Sequence, residues 1–419
     1  MKSTLGEARS SRLLRWLGSI ADASLLRVPR FFGMVYGPID DELPIREAWR
    51  KFRNRRIPAQ AGWWYAMGGA TYFLFMMLIA TGVLLSGYYR PSTAEAYPSL
   101  QYLESEVTFG WLVRGVHYWA ANLVIFMVMA HFLRAFVTAA YRTPRETNWL
   151  IGLLLLLTLL GFGMTGYLLP WDQWAYWATS HELDALSRVP LIGSLIVGVL
   201  RADDFVSGAT LSRFFSFHVI VLPWAALLLL VLHFQLVRKH GISTPRGRAP
   251  IPGEPFFPNH MLRQLIVALL CIGVVVSLAA LRPRPFSGPA DGFNPPETLQ
   301  VLWFPLAVSR AATHYLGGLG LVLLLVVFAS MALVPLAFRA HERNMLRRTV
   351  RTVIALVLVL VLTTLWILGH RLTGPLYGPE GIAVEVQPTE PGSGDRADGL
   401  GEGVVDVPHE GESDEGEER

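Results

Sequence analysis

One cysteine, Cys271, occurs in the 419 residues. Within this chain that excludes a disulfide framework, a thiolate-built metal centre and any thioether-attached haem. The cysteine sits inside a long apolar run, so it says nothing about redox compartment. Charge is scarce as well. Asp, Glu, Lys and Arg make up 16% of the chain, against 52% hydrophobic residues. With several membrane-length apolar runs, that balance excludes a soluble domain and points to a polytopic membrane protein. No G-x-G-x-x-G follows a strand-like stretch, so no dinucleotide-binding domain is expected. The first residues lack a short apolar core followed by a small-residue cleavage site, so no secretory signal is expected.

Seven apolar runs are present, at roughly 63–87, 113–138, 149–170, 214–237, 262–281, 314–338 and 350–369. The expected fold is all-α: seven transmembrane helices, arranged as a four-helix bundle followed by three more. Four segments follow from composition. Residues 1–60 form a basic amphipathic stretch expected to lie on the membrane surface. Residues 61–250 carry four spans and residues 251–375 carry three, with a Pro/Gly-rich connection between them. Residues 376–419 are acidic and Gly-rich and are expected to be disordered. The net charge of +4 hides an asymmetry. Arginines crowd residues 1–60 and the turns at Arg142, Arg145, Arg238–Arg248 and Arg339–Arg351. The alternate connections carry Glu95, Glu104, Glu106, Glu182, Asp184, Asp203, Asp204 and Asp291. The positive-inside rule then puts the N-terminus in the cytoplasm and the C-terminus outside. Membrane lipid accounts for the basic runs, and no nucleic acid is needed.

The second and fourth runs each hold two histidines: His117 and His131, then His218 and His233. The intervals are 14 and 15 residues, or roughly 21–23 Å along a helix. In a bundle wound at about 3.5 residues per turn, such an interval returns each pair to one face. Polar groups at membrane depth usually have a partner and a task. Matched pairs on two helices give two stacked bis-imidazole sites, which is what two b-type haems require. Glycines repeat the interval: Gly68 and Gly82 in the first run, Gly152 and Gly166 in the third. Glycine permits the close approach a flat porphyrin needs. Arg114 and Arg134 flank the first histidine pair and suit anionic haem propionates.

The motifs YYRP, FGWLVRGVH, HFLR, TPRE, TGYLLPWDQWAYWA, LSRFFSFH and RKHGIS resemble cytochrome b of the Rieske/cytochrome b complexes. They look most like the cytochrome b/f branch, whose mark is the 15-residue interval on the fourth helix. Residues 252–370, with PGEPFFPN, PADGFNPPE and WFP, resemble that branch's subunit IV, here fused in one chain. The resemblance implies two non-covalent b haems. His117 and His218 would ligate the outer one, and His131 and His233 the inner one. Arg114 and Arg213 would sit by the outer propionates and Arg134 by the inner. Quinol would be oxidised outside, near the PWDQ helix and the connection between spans five and six. Quinone would be reduced inside, near the inner haem and Arg238–Lys239.

Two positions depart from the family. Ala66 stands where the b/f branch has a cysteine tethering an extra haem, so no covalent haem is expected. Leu302 stands where the family's Pro-Glu-Trp-Tyr carries a glutamate that takes a proton from quinol. Glu297, His181 and Glu182 are the candidate substitutes. The resemblance thus implies a cytochrome b subunit, part of a quinol:cytochrome c (or similar acceptor) oxidoreductase rather than an enzyme alone. It would sit in the inner membrane with a Rieske iron–sulfur protein and a cytochrome c-type subunit, in a homodimeric complex. The alternative is a non-bifurcating two-haem conduit for another redox partner.

Overall fold

The computed structural model describes residues 62–243, 253–296, 303–337 and 345–372, with residues 47, 50, 51, 53, 54, 56–58, 299 and 301 besides. Nearly all of the basic segment 1–60, the whole tail 376–419, Glu297 and Leu302 lie outside the described residues.

Seven helical stretches are long and apolar enough to cross a membrane: Trp63–Ser86, Gly110–Val137, Glu146–Leu168, Gly208–His240, Phe256–Leu281, Gly318–Ala337 and Thr349–Arg371. Their Leu- and Val-rich sequences suit hydrocarbon, where a helix satisfies every backbone polar group internally. Large apolar side chains such as Val83 and Leu360, each 66% exposed, face outward along them. The chain is an all-α polytopic membrane protein, as the composition implies.

Within these stretches run α1 (Met67–Ser86), α3 (Gly110–Val137), α4 (Glu146–Leu168), α7 (Gly208–Ser216), α8 (Leu222–His240), α9 (Met261–Leu281), α11 (Gly318–Ala337) and α12 (Met345–Arg371). Four helices lie outside the spans: α2 (Ala96–Ser105), α5 (Gln173–Ser187), α6 (Gly193–Arg201) and α10 (Phe304–Leu316). Two two-residue strands, β1 (Arg56–Ile57) and β2 (Glu254–Pro255), pair antiparallel and are the only sheet among the described residues.

The helices pack as two pairs, α1 on α3 and α4 on α8. Helix α9 lies against α1 and α3, α12 against α3 and α10, and α11 against α4. The main apolar core sits where these meet, built from Leu74, Val116, Val124, Val275, Phe304 and Val308. The sequence suggests a sixth span starting near residue 314. The structure instead breaks at Gly317, whose φ of 59° is a conformation glycine adopts without strain. Helix α10 ends there, and the span begins at Gly318.

Between α7 and α8 the chain makes one π-helical turn, Phe217–Val221. Pro223, next to its end, has no N–H to give and so favours a locally altered ladder. A π turn takes in an extra residue without turning the following helix off its face. This accounts for the 15-residue interval between His218 and His233, against 14 on α3.

At the end of the bundle with the acidic connections, α5 is stapled to the chain that follows α9. Asp172, 0% exposed, caps α5: its Oδ1 accepts from the Ala175 N–H at 2.8 Å, a contact worth about 1 kcal/mol. Its Oδ2 accepts from Arg284 Nη2 at 3.2 Å. Gln173 N–H donates to Gly288 O at 3.0 Å, and Ala290 N–H to Trp171 O at 3.0 Å. These bonds fix the PWDQ turn against residues 284–290.

Candidate functional site

Helix α3, packed on α1, and the α7–α8 segment, packed on α4, bring the four histidines together as two pairs. At the acidic end the His117 and His218 ring centroids are 6.4 Å apart, with 65° between planes. At the basic end His131 and His233 are 6.5 Å apart, with 72° between planes. Two imidazoles opposite one another on a first-row metal, with metal–nitrogen bonds of about 2.0–2.1 Å and a ring radius near 1.2 Å, place their centroids about 6.4 Å apart. Among the described residues no three His, Cys, Asp or Glu side chains gather as they would around a bare ion. The protein offers two nitrogens per level, and a porphyrin would supply the remaining ligands.

Each glycine meets one histidine. A Cβ at Gly82 would lie 3.4 Å from His117 Cε1, at Gly68 3.0 Å from His131 Cε1, at Gly166 2.5 Å from His218 Cε1, and at Gly152 3.7 Å from His233 Cε1. The 14-residue glycine interval therefore clears the imidazole edges.

With Cε1 against a glycine backbone, the remaining question is which nitrogen faces inward. Thr81 Oγ1 lies 2.9 Å from His117 Nδ1 and also donates to Met77 O at 2.8 Å. Thr165 Oγ1 lies 3.2 Å from His218 Nδ1 and donates to Gly161 O at 2.7 Å. A hydroxyl has one proton, so each threonine accepts from Nδ1–H, and Nε2 is left free to ligate. Both threonines directly precede their glycines. At the basic end those places hold Met67 and Ile151, so neither histidine meets a hydroxyl; His131 Nδ1 is buried with no hydrogen-bond partner, while His233 keeps a backbone hydrogen bond at Asn148. The T-G dipeptides were the sequence signal for this contact.

Two of the three arginines are placed to receive an anion. Arg114 donates Nη1 to Glu104, and to Arg284 O at 3.3 Å, while its Nη2 is buried without a partner. Its guanidinium stacks 4.0 Å from the Phe286 ring. Arg134 lies 4.6 Å over Tyr65, with Nε buried and unpartnered. Arg213 is exposed and donates to Gly198 O at 3.1 Å and Val199 O at 2.6 Å, closing the C-terminal turn of α6.

The acidic end holds a second polar cluster, between α5 and α10. Glu182 Oε2 accepts from Ser309 Oγ at 2.7 Å, while Oε1 is shielded from solvent and has no partner. Burial pushes the Glu182 acid up to about 7, against the opposing pull of the Ser309 hydroxyl and the Arg310 guanidinium. The neighbouring His181 Nε2 is 3.3 Å from Thr313 Oγ1. Burial, aided by Arg310, Arg188 and His314, holds that imidazole down to about 4. Trp303 opens α10 and fills the space at Gly163, where a Cβ would run into the indole. Its Nε1 is buried without a partner. Gly163 lies one turn from Gly166, so α10 begins beside the His218 level. Trp303 is the tryptophan of the WFP motif, whereas Ser309 lies in no motif and meets Glu182 across 127 positions.

The chain is similar to known proteins. The family described as Cytochrome b/b6/petB matches residues 52–241. Cytochrome b6 of Synechocystis sp. is 39% identical over 211 residues, covering 50% of this chain and 95% of its own. Cytochrome b6 of Prochlorothrix hollandica gives the same 39% identity over 50% of this chain and 95% of its own. A solved chain titled "Hyperthermophilic respiratory Complex III" superposes with a TM-score of 0.71 and 25% identity, covering 80% of this chain and 91% of that one. The matched segment contains all four histidines, their glycines and the threonines, and the structural likeness runs on into the last three spans. The chain belongs to the cytochrome b family.

Proposed function

We propose that this chain is the cytochrome b subunit of a quinol-oxidising membrane complex, carrying electrons across the bilayer through two b-type haems. The observation that carries this is the pair of histidine levels, each at the separation expected for two ligands on one iron and each backed by glycine. Haem, when bound, supplies one-electron carriage. His117 and His218 hold one haem and His131 and His233 the other, through Nε2. Arg114 and Arg134 orient the propionates. The acidic end faces outward and the basic end the cytoplasm, as the arginine asymmetry requires. Residues 61–250 form the haem-binding part and residues 251–375 the part akin to subunit IV. The likeness to cytochrome b6 and to a chain of a respiratory Complex III supports a Rieske iron–sulfur protein and a cytochrome c-type chain as partners, in a homodimeric inner-membrane complex. Quinol is the outer substrate and quinone the inner one.

The test is the purified native complex. About two extractable haems per chain, a b-type reduced spectrum and reduction by added quinol are expected from paired bis-histidine ligation. Haem staining after denaturing electrophoresis should leave this chain blank, because Ala66 offers no thiol. One haem per chain, or a stained band at its mass, would refute the assignment. Haems that no quinol reduces would instead favour the non-bifurcating conduit.

A further inference from the structure

We infer that Glu182 is the proton acceptor for quinol at the outer site, held by Ser309. This rests on the quinol-oxidising function proposed above. The chain has Leu302 where its family places a carboxylate, and quinol oxidation needs a base within reach of the hydroxyl. The fold supplies one from the opposite wall. Helix α5, pinned by the Asp172–Arg284 pair, projects Glu182 onto α10, the helix that Trp303 opens. One carboxylate oxygen is fixed by the Ser309 hydroxyl at 2.7 Å; the other is shielded and has no partner. A buried acceptor atom is normally satisfied, so an unpartnered one next to the helix that carries the family's quinol motif marks where a donor belongs. A quinol hydroxyl is such a donor.

The adjacent groups do not compete. His181 is occupied by Thr313, and an imidazole held near 4 is a weak base. Few charges face Glu182. Arg310 approaches from α10 and donates to Leu299 O at 2.9 Å. Arg201 of α6 is paired with Asp184 at 2.7 Å. Helix α11 has no ionisable side chain, and α4 brings only Tyr167 to this end. The carboxylate form of Glu182 is therefore set by burial, Ser309 and Arg310.

The step balances as follows. The O–H bond of one quinol hydroxyl breaks, and its proton forms the O–H of the Glu182 carboxylic acid. The electron left behind passes to a one-electron acceptor, an iron–sulfur protein or a ferric haem. The second hydroxyl releases its proton to solvent and its electron to the other acceptor. Quinone is the product, and Glu182 then loses its proton to the outer face.

The experiment uses the purified complex with a short-chain quinol, reading haem reduction against pH, together with infrared difference spectra of the carboxyl band. In the wild type the rate should rise with pH through about 7, where the acid becomes carboxylate. Glu182→Gln should slow outer-site oxidation by about a hundredfold or more, erase the pH step and remove a carboxyl band, with both haems still bound. Ser309→Ala should move the pH step and the band's titration to higher pH, since the lost hydroxyl bond favoured the charged form. His181→Ala should leave the pH step in place. If Glu182→Gln oxidises quinol at the wild-type rate, the inference is overturned. If that variant fails to assemble, an unmoved pH step in Ser309→Ala overturns it instead. A wild type that no quinol reduces overturns the functional proposal and this inference with it.

Discussion

The two histidine levels are close copies in geometry and differ in chemistry. Ring separations of 6.4 and 6.5 Å come from the same device, a histidine helix backed by a glycine helix. The difference lies one residue before each glycine. At the acidic end Thr81 and Thr165 accept the Nδ1 protons, whereas at the basic end Met67 and Ile151 offer no hydroxyl, and only His233 keeps a backbone hydrogen bond, at Asn148. An imidazole whose outer N–H is held by an acceptor is the more basic ligand. It stabilises the ferric state and lowers the potential. Helix packing thus sets where the two proposed haems would sit, while the threonine beside each acidic-end histidine would lower the potential of the haem held there.

The strongest way to break this comparison is to remove a ligand. His131→Leu or His233→Leu should lose one haem of two and largely spare the other, because the levels share no histidine. The counterpart His117→Leu should do the reverse. Haem content and optical spectra decide it, and loss of both haems from either variant would show the levels to be interdependent.

A graded test comes next. An added methyl at Gly166 would meet the His218 ring at 2.5 Å, while at Gly152 it would meet His233 at 3.7 Å. Gly166→Ala should therefore displace the ligand and cut haem occupancy at the acidic end. Gly152→Ala is expected to bind haem normally. Equal loss in both would mean that the glycines serve something other than ring clearance.

The smallest effect is the most informative. Thr81→Val and Thr165→Val keep the shape and remove the acceptor. Each should raise the potential of the acidic-end haem by up to about 59 mV, a tenfold change in a one-electron equilibrium, and leave the other haem unmoved. Redox titration reads both at once. A shift at the basic end alone would reverse the assignment.

Much of this was legible in the chain. Run length gave all seven spans, and the repeated intervals at His117/His131, His218/His233 and the four glycines gave the two levels, since helical periodicity converts spacing directly into depth. The odd fifteenth residue was legible only as an interval; the π turn that absorbs it depends on how Pro223 disturbs the backbone. Glu182 and His181 are neighbours in sequence yet diverge by about 100° around α5. Both meet α10, His181 at Thr313 and Glu182 at Ser309, and what holds α5 there is the Asp172–Arg284 pin, a contact between residues 112 positions apart. No local pattern records such a contact.

The junction between the two parts of the chain has one more consequence. Ala279 of α9 packs on Gly115 of α3, β2 pairs with β1, and Trp149 Nε1 donates to Met331 O at 2.8 Å. None of these contacts depends on the connecting residues 244–252, so cutting there would leave them all intact. What covalent continuity adds is effective concentration: a short tether holds its two ends at an effective concentration of about millimolar. Docking of the last three spans becomes a first-order event, independent of how much of each part the cell inserts in the membrane.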